Sequence, residues 1–321
     1  MTKIILVLTI LVAAAFAASL LAGRIWLPPA DILSGKSGLT SLIVMDIRLP
    51  RTILALLTGL TLGLSGAVLQ GLTRNPLAEP GLLGVSTGAA LGAVIAIYFG
   101  VTAISSLAGP LFGLAGAFLA CTLTFALGRG GTIALILAGA AVSSLTAAGI
   151  ALALNFAPNP YAAYEIMSWL LGSLADKSWD QVLLAAPFII LGGFLLSTTG
   201  RALDALSLGE AQAQSLGIQM NRLQLTVILG TALAVGAAVS VTGAIGFIGL
   251  VAPHLVRPFV GHQPSRILAP SALGGALLLL LADIAVREIH LGPEIKLGVF
   301  TSLIGAPFFF WLVLRLPGKS P

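Results

Sequence analysis

The chain has 321 residues, 58% hydrophobic and only 8% charged, with a formal net charge of +5 and a mean hydropathy of +1.07. Soluble domains carry about 25% charged residues, so this composition excludes a water-soluble enzyme or binding module and specifies a polytopic membrane protein. The basic residues form no stripe for nucleic acid, and a single cysteine, Cys121, excludes disulfides or cysteine metal clusters within the chain.

Crossing a hydrocarbon core of ~30 Å takes about 20 apolar residues, and the chain reads as one transmembrane domain with ten runs. They fall at about 4–22, 52–71, 82–99, 104–127, 132–154, 180–198, 223–242, 246–260, 267–286 and 297–315. The first, with Lys3 ahead of Ile4–Phe16 and then Ala15-Phe16-Ala17, has the outline of a signal peptide. An uncleaved first span is the favoured reading. Just before the second run, Arg48 and Arg51 lie three residues apart and can share a helical face. They are either snorkelling interface anchors or cations that receive carboxylates from an external protein.

Between the second and third runs stands a polar loop, Arg74-Asn75-Pro76-Leu77-Ala78-Glu79-Pro80-Gly81. Each proline disfavours helix at the residue before it, so the chain must stop and turn. We read this loop as part of a gate at a membrane surface. The helix that follows opens with glycines that permit close backbone approach. Its Gly84-Val85-Ser86-Thr87-Gly88 matches a nucleophile elbow in letters but lacks the strand-turn-helix setting. A membrane hydrolase using Ser86 is therefore a distant reading.

Tyr161 to Leu174 is expected to be a short amphipathic helix at the interface, with Tyr161, Tyr164 and Trp169 at headgroup depth. The longest polar loop, Arg201–Arg222, contains Leu206–Gly217, expected to be one short helix closed by glycine. It is either a solvated connector or a knob for a soluble partner. The eighth run is short and interrupted by Pro253, which predicts a broken helix lining protein rather than lipid. Asp283 and Arg287, four apart, can pair and lower each other's cost in the membrane. A proton-carrying Asp283 in a secondary transporter is the main rival. His254, His262 and His290 are scattered, so no metal site is expected. Gly318-Lys319-Ser320 lacks the first P-loop glycine, since Val313 stands there.

With the N-terminus inside, the inner side holds Lys3, Arg74, Arg129, Arg201, Arg222, Arg257, Arg266, Arg315 and Lys319 against Glu79, Asp204 and Glu210. The outer side balances Arg24, Lys36, Arg48, Arg51, Lys177, Arg287 and Lys296 with Asp31, Asp46, Glu165, Asp176, Asp180, Glu288 and Glu294. That is the sense of the positive-inside rule. Ser65-Gly66-Ala67 with Gly81-Leu82-Leu83-Gly84-Val85 is echoed by Thr242-Gly243-Ala244 with Gly246-Phe247-Ile248-Gly249-Leu250, a hint of inverted repeats.

Several blocks recur in one order. They are Arg48-Leu49-Pro50-Arg51, Ser65–Gln70, Asn75–Gly81, Leu208-Gly209-Glu210 with Ala213 and Leu216-Gly217, Gly243–His254, Ala282-Asp283 with Arg287, and Gly305-Ala306-Pro307-Phe308. In these the chain resembles FecCD-family permeases, the membrane subunits of ABC importers for iron-siderophores, heme and vitamin B12. The resemblance runs over about residues 45 to 315. It implies an all-α, ten-span, inverted-repeat type II importer fold in the bacterial inner membrane, assembled as a homodimer. It also implies two ATPase subunits, which bind ATP and magnesium, and a periplasmic binding protein that delivers a metal chelate. The permease itself is then no enzyme and needs no cofactor.

By the same resemblance, Arg48, Arg51 and Arg287 receive acidic residues of the binding protein. Asn75 and Leu77, with Thr132, form the cytoplasmic gate. Leu206, Gly209, Glu210, Ala213, Leu216 and Gly217 dock on the ATPase. The fifth span, the short helix after it and the tenth span line the path. One departure is Lys296, at a position where the family usually has proline.

Overall fold

Hydrocarbon offers backbone groups no hydrogen-bond partner, so long apolar runs have helix as their open choice. The computed structural model follows this rule and describes residues 2–23, 26–27, 38–128, 131–289, 292 and 294–315; no strand occurs among them. Arg24, Asp31, Lys36, Arg129, His290, Lys319 and the string Gly318–Ser320 lie outside the described residues.

Helix α1 spans Thr2–Leu21. A short α2 (Gly38–Leu42) leads through a π-helical segment (Ile43–Arg48) into α3 (Leu49–Thr73). A 3₁₀ turn, Pro80–Leu83, precedes α4 (Val85–Tyr98), and α5 (Ala108–Leu127), α6 (Thr132–Asn155), α7 (Pro160–Leu170) and α8 (Trp179–Ser197) follow. Two short helices, α9 (Gly200–Leu206) and α10 (Glu210–Ser215), lead to α11 (Met220–Thr242), α12 (Ile248–Val260), α13 (Pro264–Glu288) and α14 (Leu297–Arg315). Among the described residues, α1, α3 with its lead-in, α5, α6, α8, α11 and α13 are long and apolar enough to cross a membrane. Shorter apolar helices are α4, α12 and the Leu297–Phe310 part of α14. Each predicted run falls on one of these ten.

Two expectations need correction. The eighth run does not break at Pro253: α12 continues through both Pro253 and Pro258. The carbonyl that loses its donor there belongs to Gly249, and it lies against Gly66 of α3. The non-helical backbone is instead the junction between the seventh and eighth runs, Gly243–Phe247, where Gly243 (φ = +72°) and Phe247 (φ = +67°) take positive φ. In the polar loop the expected short helix is α10, but it starts at Glu210 rather than Leu206, because Gly209 at φ = +115° turns the chain between α9 and α10.

Small residues set how closely the helices pack. A Cβ on Gly63 of α3 would overlap the Ser271 carbonyl of α13, and one on Gly59 would stand 2.6 Å from the Gly275 carbonyl. On the α4–α5 seam a Cβ on Gly88 would stand 2.7 Å from the Gly116 carbonyl. Gly88 is thus a packing residue, as its helical setting implied. The sequence echo has a backbone counterpart: α4 and α12 are both short, and each follows a left-handed residue, Gly84 or Phe247. The two non-helical segments come close, with Pro80 packed against Gly249 just past Phe247. Irregular backbone is tolerated at depth when protein covers it.

Candidate functional site

At the C-terminus of α1 the last carbonyls have run out of intrahelical donors, and only some find backbone partners beyond it, such as Leu21 O with Leu27 N–H at 3.2 Å. Arg48 Nη1 donates to Leu20 O (2.9 Å) and Leu21 O (2.6 Å). Arg287 Nη1 donates to Ser19 O (2.9 Å) and Ala22 O (3.2 Å), and its Nη2 donates to the Ser19 hydroxyl. Cations are favoured at a helix C-terminus, so these guanidinium groups cap α1. Arg287 also pairs with Asp283 at 2.5 Å, as the four-residue spacing implied. The other Asp283 oxygen receives Arg51 at 2.8 Å, and Arg51 reaches Glu294 at 2.5 Å. Arg48, Arg51 and Arg287 therefore come together on one cavity of about 580 Å³, with Glu294 beside them. Arg48 and Arg287 are only 8% exposed, which is not the posture of snorkelling anchors.

A second cavity, about 690 Å³ and almost wholly apolar, runs between the end of α7 (Leu170, Leu171), the Ala244–Gly246 segment and α14 (Gly298, Val299, Ser302, Leu303, Ala306, Pro307). Close backbone contacts hold this junction, with Ser173 N–H donating to Thr242 O at 2.7 Å and Gly298 N–H to Gly172 O at 3.3 Å. The α7 and α14 walls were expected of a path. The Ala244–Gly246 wall was not, although these residues fall at the boundary between the seventh and eighth runs. Lys296 shares a smaller cavity, about 320 Å³, with Lys177, Tyr164 and Trp169. Burial pulls the Lys177 ammonium below its ordinary pKa; Asp176 opposes this and Lys296 adds to it.

At the inner end, Arg74 (φ = +50°) ends α3. Asn75 Oδ1 then accepts the Leu77 N–H at 2.9 Å, and Ala78 N–H donates to Asn75 O at 3.1 Å. This Asx turn joins the two expected gate residues. Thr132, the first residue of α6, does not face solvent as a bare gate element: its hydroxyl donates to Glu210 Oε1 at 2.6 Å.

In the loop, Leu206 and Ala213 are fully buried. Ile218 N–H bonds Ala213 O and Gly217 N–H bonds Gln214 O, the paired closure of a Schellman motif at Gly217 (φ = +87°). Leu206, Gly209, Ala213 and Gly217 thus shape the loop, while Leu208 (64% exposed) and Leu216 (63%) project from it. Asp204 fastens the other end, accepting Ser265 N–H (2.8 Å), Ser265 O–H (2.7 Å) and the Gln263 amide (2.8 Å) at the start of α13. Sequence reading missed Leu208 as a projecting residue and Asp204 as a cap. The Pro-Ser start of α13 without its own cap residue was the available signal.

Among the described residues no three His, Cys, Asp or Glu side chains converge as a metal site. What remains is a cationic cavity at one end of the helical bundle, a mostly apolar cavity beside α7 and α14, and at the other end a loop with two exposed leucines. The model of the FecCD transport family matches residues 10–315. The chain belongs to the FecCD transport family.

Two members give the measure of this likeness. The hemin transport system permease HmuU of Yersinia pestis is 40% identical over 279 residues, 85% of this chain and 83% of the relative. The vitamin B12 import permease BtuC of Salmonella paratyphi A is 39% identical over 314 residues, 97% and 94% of the two chains. Among solved structures, an inward-facing metal-chelate type ABC transporter superposes with a TM-score of 0.90 at 34% identity, covering 98% of this chain and 100% of that one. As a FecCD member the chain is an all-helical, multi-pass ABC permease.

Proposed function

We propose that this chain is the permease subunit of an ATP-driven importer that carries a metal chelate, either heme, a ferric siderophore or cobalamin, from periplasm to cytoplasm across a bacterial inner membrane. It works as a homodimer with two ATPase subunits on the inner face and a binding protein on the outer face. The observation that carries this reading is the order of features along the bundle, in a chain 40% identical to a hemin permease: arginine cavity, apolar passage, then an inner loop with exposed leucines. The binding protein delivers the chelate at the arginine cavity. ATP binding closes the ATPase dimer, the loop Leu206–Gly217 transmits the movement, and the path exchanges access from one side to the other. An apolar lining holds a bulky chelate weakly, which suits cargo already selected by the binding protein.

A gradient-driven carrier using Asp283 is disfavoured because that carboxylate is fully buried between Arg51 and Arg287. Reconstitution separates the two mechanisms. Proteoliposomes holding permease with its operon-encoded ATPase and binding protein are expected to take up chelate only with ATP and magnesium. Uptake by permease alone on a proton or sodium gradient would exclude the importer reading.

A further inference from the structure

The Thr132–Glu210 hydrogen bond joins two helices that both begin after a glycine, α6 after Gly131 and α10 after Gly209, so neither has a capping side chain of its own. A helix start leaves N–H groups unpaired and favours negative charge. The inner loop supplies that charge to α6. Glu210 Oε1 accepts the Thr132 hydroxyl at 2.6 Å, and its Oε2 lies 3.9 Å from where a Cβ on Gly131 would stand. Asp204 does the equivalent at the start of α13 through Ser265. Two carboxylates thus fasten one loop to the starts of two membrane helices, with Leu208 exposed between them in the chain and Leu216 exposed beyond Glu210.

Helix α6 continues the connection towards the gate. Gly139 packs so closely on the Leu82 carbonyl that a Cβ there would overlap it, and Ser143 Oγ donates to Gly81 O at 3.5 Å. Gly81 and Leu82 belong to the turn directly after Asn75–Leu77. A displacement of α6 therefore bears on the gate loop through contacts already made.

We infer that Glu210 is a positioning residue of the transport cycle: through Thr132 it ties α10 to α6, so that the ATPase-facing knob and the gate-bearing helix move as one body. This rests on the importer reading above. Thr132→Val keeps side-chain shape and removes the donor; Thr132→Ser keeps the donor. In proteoliposomes with ATPase and binding protein, Thr132→Val and Glu210→Ala are each expected to lower chelate uptake per ATP hydrolysed by about tenfold, the weight of one charge-assisted hydrogen bond. The double variant should fall no further, and Thr132→Ser should stay near wild type. Additive losses, an unchanged ratio, or equal loss in Thr132→Ser would overturn the inference.

A cross-link guards against a loop that simply misfolds. Thr132→Cys with Glu210→Cys should lower uptake per ATP when reduced, as the single variants do, and recover it when oxidised to a disulfide, since a pair that moves together tolerates being bonded. A further loss on oxidation that reductant reverses would show that the two separate, and the inference would fail. Absence of ATP-dependent uptake in wild type would instead sink the importer reading itself.

Discussion

Asp283 sits fully buried behind the arginine cavity, where two guanidinium groups share its carboxylate. Removing one partner from a buried ion pair costs about 3–5 kcal/mol, since the remaining charge stays desolvated. Asp283→Ala is therefore expected to lower the thermal unfolding temperature of the detergent-solubilised permease sharply, and Asp283→Asn less so. An Asp283→Ala protein as stable as wild type would mean that the guanidinium groups find other partners. Asp204 makes a prediction in pH. Burial opposes its ionisation, but bonds from Ser265 and Gln263 and the charge of Arg266 prevail, holding its carboxyl below the ordinary value. A depressed folded pKa gives stability that is present above the unfolded value, about 3.9, and lost as pH falls through the folded one. Hydrogen exchange of the 204–217 amides should thus stay slow down to about pH 4 and accelerate below it; in Asp204→Asn that acid step should vanish. Residue reading from sequence reached Asp283–Arg287 because the partners are one helical turn apart. It could not reach Arg51–Asp283 or Thr132–Glu210, whose partners lie 232 and 78 residues away in the chain.

Elements were legible where the signal is local. Length and apolarity marked ten helices, and the interfacial helix expected over Tyr161–Leu174 is α7, which starts at Pro160 on an Asn159 cap and stops sooner, at Leu170. The α12 break was misjudged because proline was weighed as a breaker by itself. At Gly243–Phe247 the chain packs tightly on the end of α7, with a Cβ on Gly243 falling 2.3 Å from the Trp169 carbonyl, which no local pattern reports. The glycine seams are open to test. Gly63→Leu forces a side chain onto the Ser271 carbonyl, and overpacking of this kind costs about 1–3 kcal/mol or more. The variant should elute aggregated or unfold at lower temperature. Gly193→Ala is the matched control, because a Cβ at Gly193 meets nothing within 4 Å. It should be neutral or gain up to about 1 kcal/mol, as Gly→Ala in a helix usually does. Equal behaviour of the two variants would dissociate the seams from stability.

At the scale of the whole molecule, the two ends of the bundle are fastened by opposite means: at one end arginines cap the C-terminus of α1, and at the other carboxylates bond Thr132 at the start of α6 and Ser265 at the start of α13. The outer arrangement has a consequence for docking. Arg48 and Arg287 already hold α1, so carboxylates arriving from a binding protein at this cavity would add to an existing network rather than meet free cations. Such docking should be electrostatic and salt-sensitive, since exposed charges are screened within about 8 Å at physiological ionic strength. Binding-protein retention on immobilised permease is expected to fall steeply as salt is raised towards 1 M, with the fold intact. Arg48→Glu combined with Arg51→Glu should abolish retention at low salt, but it also strips a cap from α1, so its unfolding temperature must be measured alongside. Arg51→Lys separates the two roles. It keeps the charge and leaves the α1 cap untouched, but loses the fork that engages Asp283 and Glu294 together. Retention that survives Arg51→Lys and fails in high salt assigns the docking to charge at this cavity; retention indifferent to salt and to charge reversal would remove these arginines from the docking surface.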